Sequence, residues 1–352
     1  MRCRLMKDQS LSQWLDFQVT NSGLIVDGEG VYVILISVND FHVWWRHFES
    51  CFKSPIGRKL IYAASDDEEY FLATSQSFRF PKWFGKKKVI EAMNVRWKTM
   101  GWGVHLPQFR RIQSPCHDAL SAGFGLAHHE HAEKRRYRLE WRQINSELIE
   151  LDFSDKSEDI PIAPKPNPPE WVSSADGGEI FLKPLEHEFE PRTFGFFMGQ
   201  ERSMFIPPTA LYRLFQSVKG RPFNSEQRWR EGCTLTGLSE ESASLFRALV
   251  TSATAMFEAS EYSIFIQNQS DWESHLKHRI FSRGLGSTII EQFSLEDAPA
   301  VRMKIFSPLP TLAVGLILGM WERAHGFPCD YEVQIGSDSV VIFFHPRKVE
   351  YI

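Results

Sequence analysis

The densest group of side chains able to do chemistry lies between residues 117 and 131: His117, His128, His129, Glu130 and His131. Imidazole nitrogens and carboxylates are ordinary ligands of zinc and other divalent ions. On a helix, His128 and His131 stand one turn apart and could share an ion, with His105 or Glu130 completing the set. His117 precedes His128 by eleven residues, about 16 Å along a helix axis at 1.5 Å per residue, so it cannot join them. A solvated helix end explains the same residues without a metal, because imidazoles sit favourably near the negative pole.

Two other groups could carry chemistry. Lys82-Trp-Phe-Gly-Lys-Lys-Lys88, followed by Arg96-Trp-Lys98, interleaves cations with rings in a way that could hold phosphates and stack bases. The run Lys134-Arg-Arg-Tyr-Arg138 adds to this charge, while Asp66-Asp-Glu-Glu69 offers counter-charges that favour an ordinary surface face. Cys116-His117 lies at a helix start, where a thiolate is stabilised, yet adjacent helical residues point about 100° apart and make no dyad. No GxSxG, HExxH or DFG-type constellation is present, so no catalytic residue is assigned. The Gly-x-Gly pairs at 101–103 and 284–286 follow helices rather than strands and lack a phosphate-loop continuation, which marks them as turns.

The elements that must position these residues read as α+β. Leu24–Val26 and Val31–Leu35 form strands around Asp27-Gly28, and Asn39 can cap a helix with Phe41, Trp44, Trp45, Phe48 and Phe52 on one face. Val89, Met93, Trp97 and Met100 repeat that stripe up to Gly101. A helix over 117–132 then leads into strands 137–144 and 148–153. The second half reads the same way: a helix from Ser239, strands near 287–293 and 300–306, an apolar helix over 309–324, and strands 329–335 and 340–344.

The chain has 352 residues and a net charge of −4, a size for two domains and no general nucleic-acid balance. Ser154–Trp171 contains five prolines and reads as a semi-rigid spacer between them. The halves also resemble each other. At a constant offset of 192, Gly123, Leu126, Glu130, Ala132 and Glu140 meet Gly315, Leu318, Glu322, Ala324 and Glu332. Trp45-Arg-His-Phe48 faces Tyr212-Arg-Leu-Phe215, and Ser114-Pro115 faces Ser307-Pro308. The expected organisation is two related domains, each with helices packed on an antiparallel sheet: 1–154, a linker over 155–178, and 179–352. Five cysteines, odd in number and never in a CxxC, point to a reducing, cytoplasmic setting. The N-terminus lacks a signal-type apolar core, and the longest apolar run, Leu312–Trp321, is far short of the roughly 20 residues that span a bilayer.

On these residues the second half resembles the 4-vinyl-reductase domain family, relatives of the TRAPP vesicle-tethering subunits. The matching signatures are Gly284-Leu-Gly286, Lys304-Ile-Phe306, Gly315-Leu-Ile-Leu-Gly-Met-Trp-Glu322, His325–Val333 and Val340–Phe344; the first half matches through Met100-Gly-Trp-Gly103 and Ser114–Glu130. The resemblance implies small domains that enclose an apolar ligand or pair into assemblies, more often sensors and assembly modules than enzymes. Two departures stand out. Cys329 is alone where metal-binding relatives carry paired cysteines. Only 11 residues separate Gly103 from Ser114, against 21 from Gly286 to Ser307, so the first half has lost most of a hairpin.

The expectation is therefore a non-catalytic module without a cofactor, binding a small apolar ligand or acting through a partner protein. Phe48, Trp97, Trp102, Phe124, Phe215 and Trp321 are the candidate ligand contacts, drawn from 28 Phe and 11 Trp that core packing must also use. The alternatives are a metal-dependent enzyme built on His128 and His131, and a nucleic-acid-associated protein built on Lys86–Lys88. The charge balance disfavours the last.

Overall fold

A computed structural model describes residues 17–78, 85–155, 161–172, 181–224, 232–295 and 299–347. The fold is α+β, with eight helices and antiparallel sheets. The first half runs β1 (Gln18–Thr20), β2 (Ile25–Val26), β3 (Tyr32–Ser37), α1 (Val38–Ser50), α2 (Gly57–Thr74) and α3 (Gly85–Met100). It continues with β4 (Val104–Leu106), β5 (Arg111–Gln113), α4 (Asp118–Glu133), β6 (Tyr137–Asn145) and β7 (Leu148–Asp155). The second half has β8 (Leu182–Pro184), β9 (Phe189–Arg192), β10 (Gly195–Met198), β11 (Glu201–Ile206), α5 (Pro208–Val218) and β12 (Cys233–Thr236). Then come α6 (Glu240–Glu258), α7 (Gln269–Arg279), β13 (Ser287–Ser294), β14 (Ala300–Phe306), α8 (Pro310–His325), β15 (Cys329–Ile335) and β16 (Val340–Pro346).

The strand order β4-β5-β7-β6 of the first half recurs as β13-β14-β16-β15 in the second, where β12 adds a parallel fifth strand on β15. The third sheet crosses the halves, in the order β8-β1-β2-β3-β11-β10-β9. Its centre is the antiparallel pair β3–β11, with Leu35 opposite Phe205. Around it α1 packs on α6 and α2 on α5. Instead of one core per half, most buried apolar residues of both halves form one cluster extending across this junction, with a small separate cluster of Phe71, Leu72, Phe78 and Met93 in the first half. No described helix is long and apolar enough to cross a membrane.

The glycines set how close these layers come. A Cβ at Gly123 would collide with the Ile61 carbonyl and stand 2.8 Å from Ala64 Cβ and 3.1 Å from the Ser65 nitrogen. A Cβ at Gly315 meets the same three kinds of atom, colliding with Ala253 Cβ at 2.6 Å from the Val250 oxygen and 3.1 Å from the Thr254 nitrogen. Each is the place where the last helix of a half presses on its second long helix. Gly123→Ala and Gly315→Ala should each cost about 1–3 kcal/mol, read as lower thermal midpoints. Alanine in a free helix would instead gain roughly 1 kcal/mol, so a rise in midpoint would contradict this packing. The two Gly-x-Gly turns are reciprocal across the junction. Gly101 (φ 77°) lies 2.6 Å, measured from a notional Cβ, from the Ser203 oxygen of β11, and Gly284 (φ 76°) lies 2.6 Å from the Val33 oxygen of β3.

Three expectations shift. Ser37, not Asn39, caps α1, accepting from the Asp40 amide at 3.0 Å; the helix stops at Ser50, and Phe52 leaves the helical stripe to stack on Phe223 at 5.0 Å. The helix starts also bring His42, rather than Trp45, to the position of Tyr212. His42 Nε2 donates to the Cys116 carbonyl at 3.0 Å, and Tyr212 Oη donates to the Pro308 carbonyl at 2.6 Å, each just ahead of a last helix. The described part of the Pro-rich segment, 161–172, is no free spacer. The carbonyls of this segment have no strand partners, and side chains take them up: Arg213 donates to Pro164, Arg136 to Pro161, and Gln216 to Asn167 at 2.8 Å. Trp171 is buried against Phe215 and Phe246.

The junction also holds a titratable group. Asp67 of α2 is buried facing Arg213 of α5, whose Nε is 3.6 Å away, too far for a hydrogen bond. Burial pushes the Asp67 carboxyl up to about 7, against the pull of Thr209 and Arg213. Its neutral form is the one the fold favours, so its contribution is complete below the ordinary value of 3.8 and is lost as pH rises through about 7. Wild-type stability should therefore decline between about pH 4 and about pH 7 by at most about 4 kcal/mol from this group. Asp67→Asn should flatten that slope in denaturation curves taken across the same range. An unchanged slope would contradict the assignment.

Candidate functional site

The site is built where α2, α3 and α4 meet behind the short β4. With Gly123 on the face toward α2, and Gly125 against Ile112 and Leu151 of the sheet, α4 lies close enough to α2 for His128 to reach Glu68. Glu68 is 1% exposed, and its two oxygens accept from Arg96 Nε at 2.7 Å and Nη2 at 2.9 Å. His128, also 1% exposed, shares the same carboxylate through Nε2 at 2.8 Å. Its Nδ1 lies 3.0 Å from Trp97 Nε1. An indole nitrogen can only donate, so Nδ1 accepts, and the proton of His128 resides on Nε2 facing Glu68. Arg96 lies with its guanidinium 3.6 Å from the Phe71 ring centre and 3.7 Å from Asp27 Oδ2. Burial by itself would raise the Glu68 carboxyl, but the Arg96 charge and the hydrogen bonds from His128 and Arg96 hold it below its usual range. Asp27 goes the other way: its burial outweighs the Val31 amide and Arg96.

Beside this network opens a cleft of about 270 Å³. Ile90, Met93, Pro107 and Ala132 supply apolar walls, and Asn94, Gln108 and Glu133 supply polar groups. Three imidazoles, His105, His128 and His129, complete the lining. His105 of β4 stacks on Trp97 at 5.1 Å, and burial together with the nearby His128 and His129 pushes its pKa down to about 3. His129 stacks flat on Phe153 at 3.9 Å. Among the described residues no lysine or arginine lines the cleft, and no serine, threonine or cysteine. It offers hydrogen bonds from imidazole rings and amides beside one carboxylate, Glu133, and no hydroxyl or thiol among the described lining residues.

The six aromatic candidates are all between 0% and 2% exposed, and none lines this cleft. Trp97 comes nearest, standing behind His105 and His128. Trp102 stacks on Phe124 at 3.7 Å and donates to the Phe205 carbonyl across the junction at 2.9 Å. Phe48 meets Phe215 edge-on across the same junction, and Trp321 packs alone of the six against His325 and Phe327. The histidines of the metal alternative do not converge. Both nitrogens of His128 are engaged, and His131 opens onto a different cleft with Glu69 and Arg136. No group of three or more potential metal ligands occurs among the described residues. Cys116 is buried, and that burial raises its thiol pKa.

Of the basic residues, Lys87 lies on the exposed first turns of α3, 4.0 Å from Glu91. Residues 79–84 and the Lys86 side chain lie outside the described residues. Arg135 and Arg136 of the second basic run pair with Asp155 and Glu130 at 3.4 and 2.8 Å.

The sequence reading missed Glu68, taken as a solvated counter-charge. The signal was its place in the stripe Leu60, Ile61, Ala64, Glu68, Phe71, Leu72, which is buried throughout. The second half carries a cleft of about 370 Å³ at matching positions: Glu273, Leu276 and Lys277 lie 183 residues after Ile90, Met93 and Asn94. It has no histidine, and Trp321, 192 residues after His129, is fully buried. Compared with known family models, curated proteins and solved structures, the chain shows no match.

Proposed function

We propose that the chain is a tandem of two 4-vinyl-reductase-like domains, paired as a pseudo-dimer, that works as a non-catalytic binding module. The observation that carries this is the first-half cleft: apolar walls, amides, imidazoles and one carboxylate, with no lysine, arginine, hydroxyl or thiol among the described lining residues. Its ligand is small, uncharged and mostly apolar, with one or two polar atoms for Asn94, Gln108 or His105. Support for the tandem comes from the recurring strand order and from Gly123 and Gly315, which meet equivalent atoms in their halves.

The surface by which such domains would pair is used within the chain, in β3–β11 and its flanking helices. A partner protein would engage a different face. A ligand touching His105 and His128 bears directly on the Glu68–Arg96 tie between three helices, which gives occupancy a route to the rest of the domain. Cys51, Cys116 and Cys233, which form no disulfide, fit a cytoplasmic setting. Filling the cleft with Ala132→Trp tests the reading, since uptake of a neutral apolar dye should disappear.

A further inference from the structure

A second site lies at the junction, away from the cleft. Counted by the same offset of 183, the position of Arg96 in the second half is Arg279. Ile61, Ala64 and Ser65 match Val250, Ala253 and Thr254 in the glycine contacts, an offset of 189, so the position of Glu68 is Phe257. The second half has kept the arginine and replaced its carboxylate by a ring. Arg279 lies 4.0 Å over Tyr262 and 5.8 Å from Phe257, and its Nε is buried without a hydrogen-bond partner. One turn on, where the first half has Met100, stands Arg283, 8% exposed. Among the described residues its guanidinium has no hydrogen bond and no ion pair.

Both arginines line a cavity of about 30 Å³ between the halves. Its other walls are Ile34, Leu35 and Ile36 of β3, Met256, Leu285 and two leucines of α8, with Asp40 the one acid. Asp40 is spoken for by Ser37, and it influences the arginines, as Glu201 does Arg283, without pairing with either. A buried cation without a partner is costly, and a cavity of this size admits a body of about two water-sized atoms. We infer that Arg279 and Arg283 form a binding site for a compact anion, such as chloride, which takes the place in the second half that Glu68 fills in the first.

The test compares the full chain in sodium chloride and in sodium gluconate at equal ionic strength, since gluconate is too large for the cavity. Chloride should raise the wild-type thermal midpoint by about 2 °C or more over gluconate. Arg283→Met should abolish that difference and, in gluconate, be no less stable than wild type, because it removes an unpartnered charge. Crystals soaked in bromide should show anomalous density beside Arg279 and Arg283. Equal midpoints in the two salts, an undiminished chloride effect in Arg283→Met, or no bromide at the cavity would each overturn the site.

Discussion

Glu68→Ala should destabilise the protein by about 3–5 kcal/mol, the largest single effect expected on the fold. The substitution leaves Arg96 buried without its bidentate partner and the Nε2 proton of His128 without an acceptor. Asp27, 3.7 Å from Arg96, is placed to replace neither bond. The loss should show as a lower denaturant midpoint with the m-value unchanged. The pair can also be removed as a unit. Glu68→Met with Arg96→Met takes both charges out of the interior and should recover much of the loss, while His128 keeps its Trp97 contact. If the single and double variants were equally unstable, the arginine would not be the reason for the cost. Acid adds a signed check. Because the Glu68 carboxyl is held below its usual value of 4.5, its contribution is complete above that pH and is lost as pH falls through the lowered value. This is opposite in direction to Asp67, one residue away.

These neighbours show what a sequence carries and what it does not. The apolar helices α4, α6 and α8 are legible to within a residue or two, and so are the strand pairs that follow α4 and α8. Ser239 caps α6 as its position before two acids suggests. Of the cross-junction sheet only the β2–β3 hairpin was legible: β1 and β8–β10 are three to four residues long, too short for a period, and the β1–β8 and β3–β11 pairings join residues far apart in the chain. The run Asp66–Glu69 looked solvated because charge is normally outside. Only the positions of Arg96 and Arg213 on other helices make burial there tolerable.

The cleft has a similar origin. Aromatic residues were expected to line it, but rings as large as Trp97, Trp102 and Phe124 fill the core first and stack on one another. What remains open is where the hairpin is shortened to three-residue strands and where His129 stands at the position of Trp321. The shortened hairpin, read from the spacing between Gly103 and Ser114, accompanies a cleft on the same side of the domain.

Uptake of a neutral ligand by that cleft is the central claim, and a polarity-sensitive neutral dye such as prodan reads it directly. Ala132 is on the last turn of α4, half-buried on the cleft wall, so an indole there occupies the ligand's space while leaving the Glu68 network in place. Wild type should bind about one dye per chain with blue-shifted emission. Ala132→Trp should weaken that binding about tenfold or more, a loss of at least 1.4 kcal/mol on the usual scale, with little change in thermal midpoint. Ile289→Trp in the second-half cleft should leave it unchanged. An anionic naphthalene sulfonate should not compete, because Glu133 and no lysine or arginine lies among the described lining residues of the first cleft. Equal prodan binding by wild type and Ala132→Trp, or its loss in Ile289→Trp alone, would contradict the account.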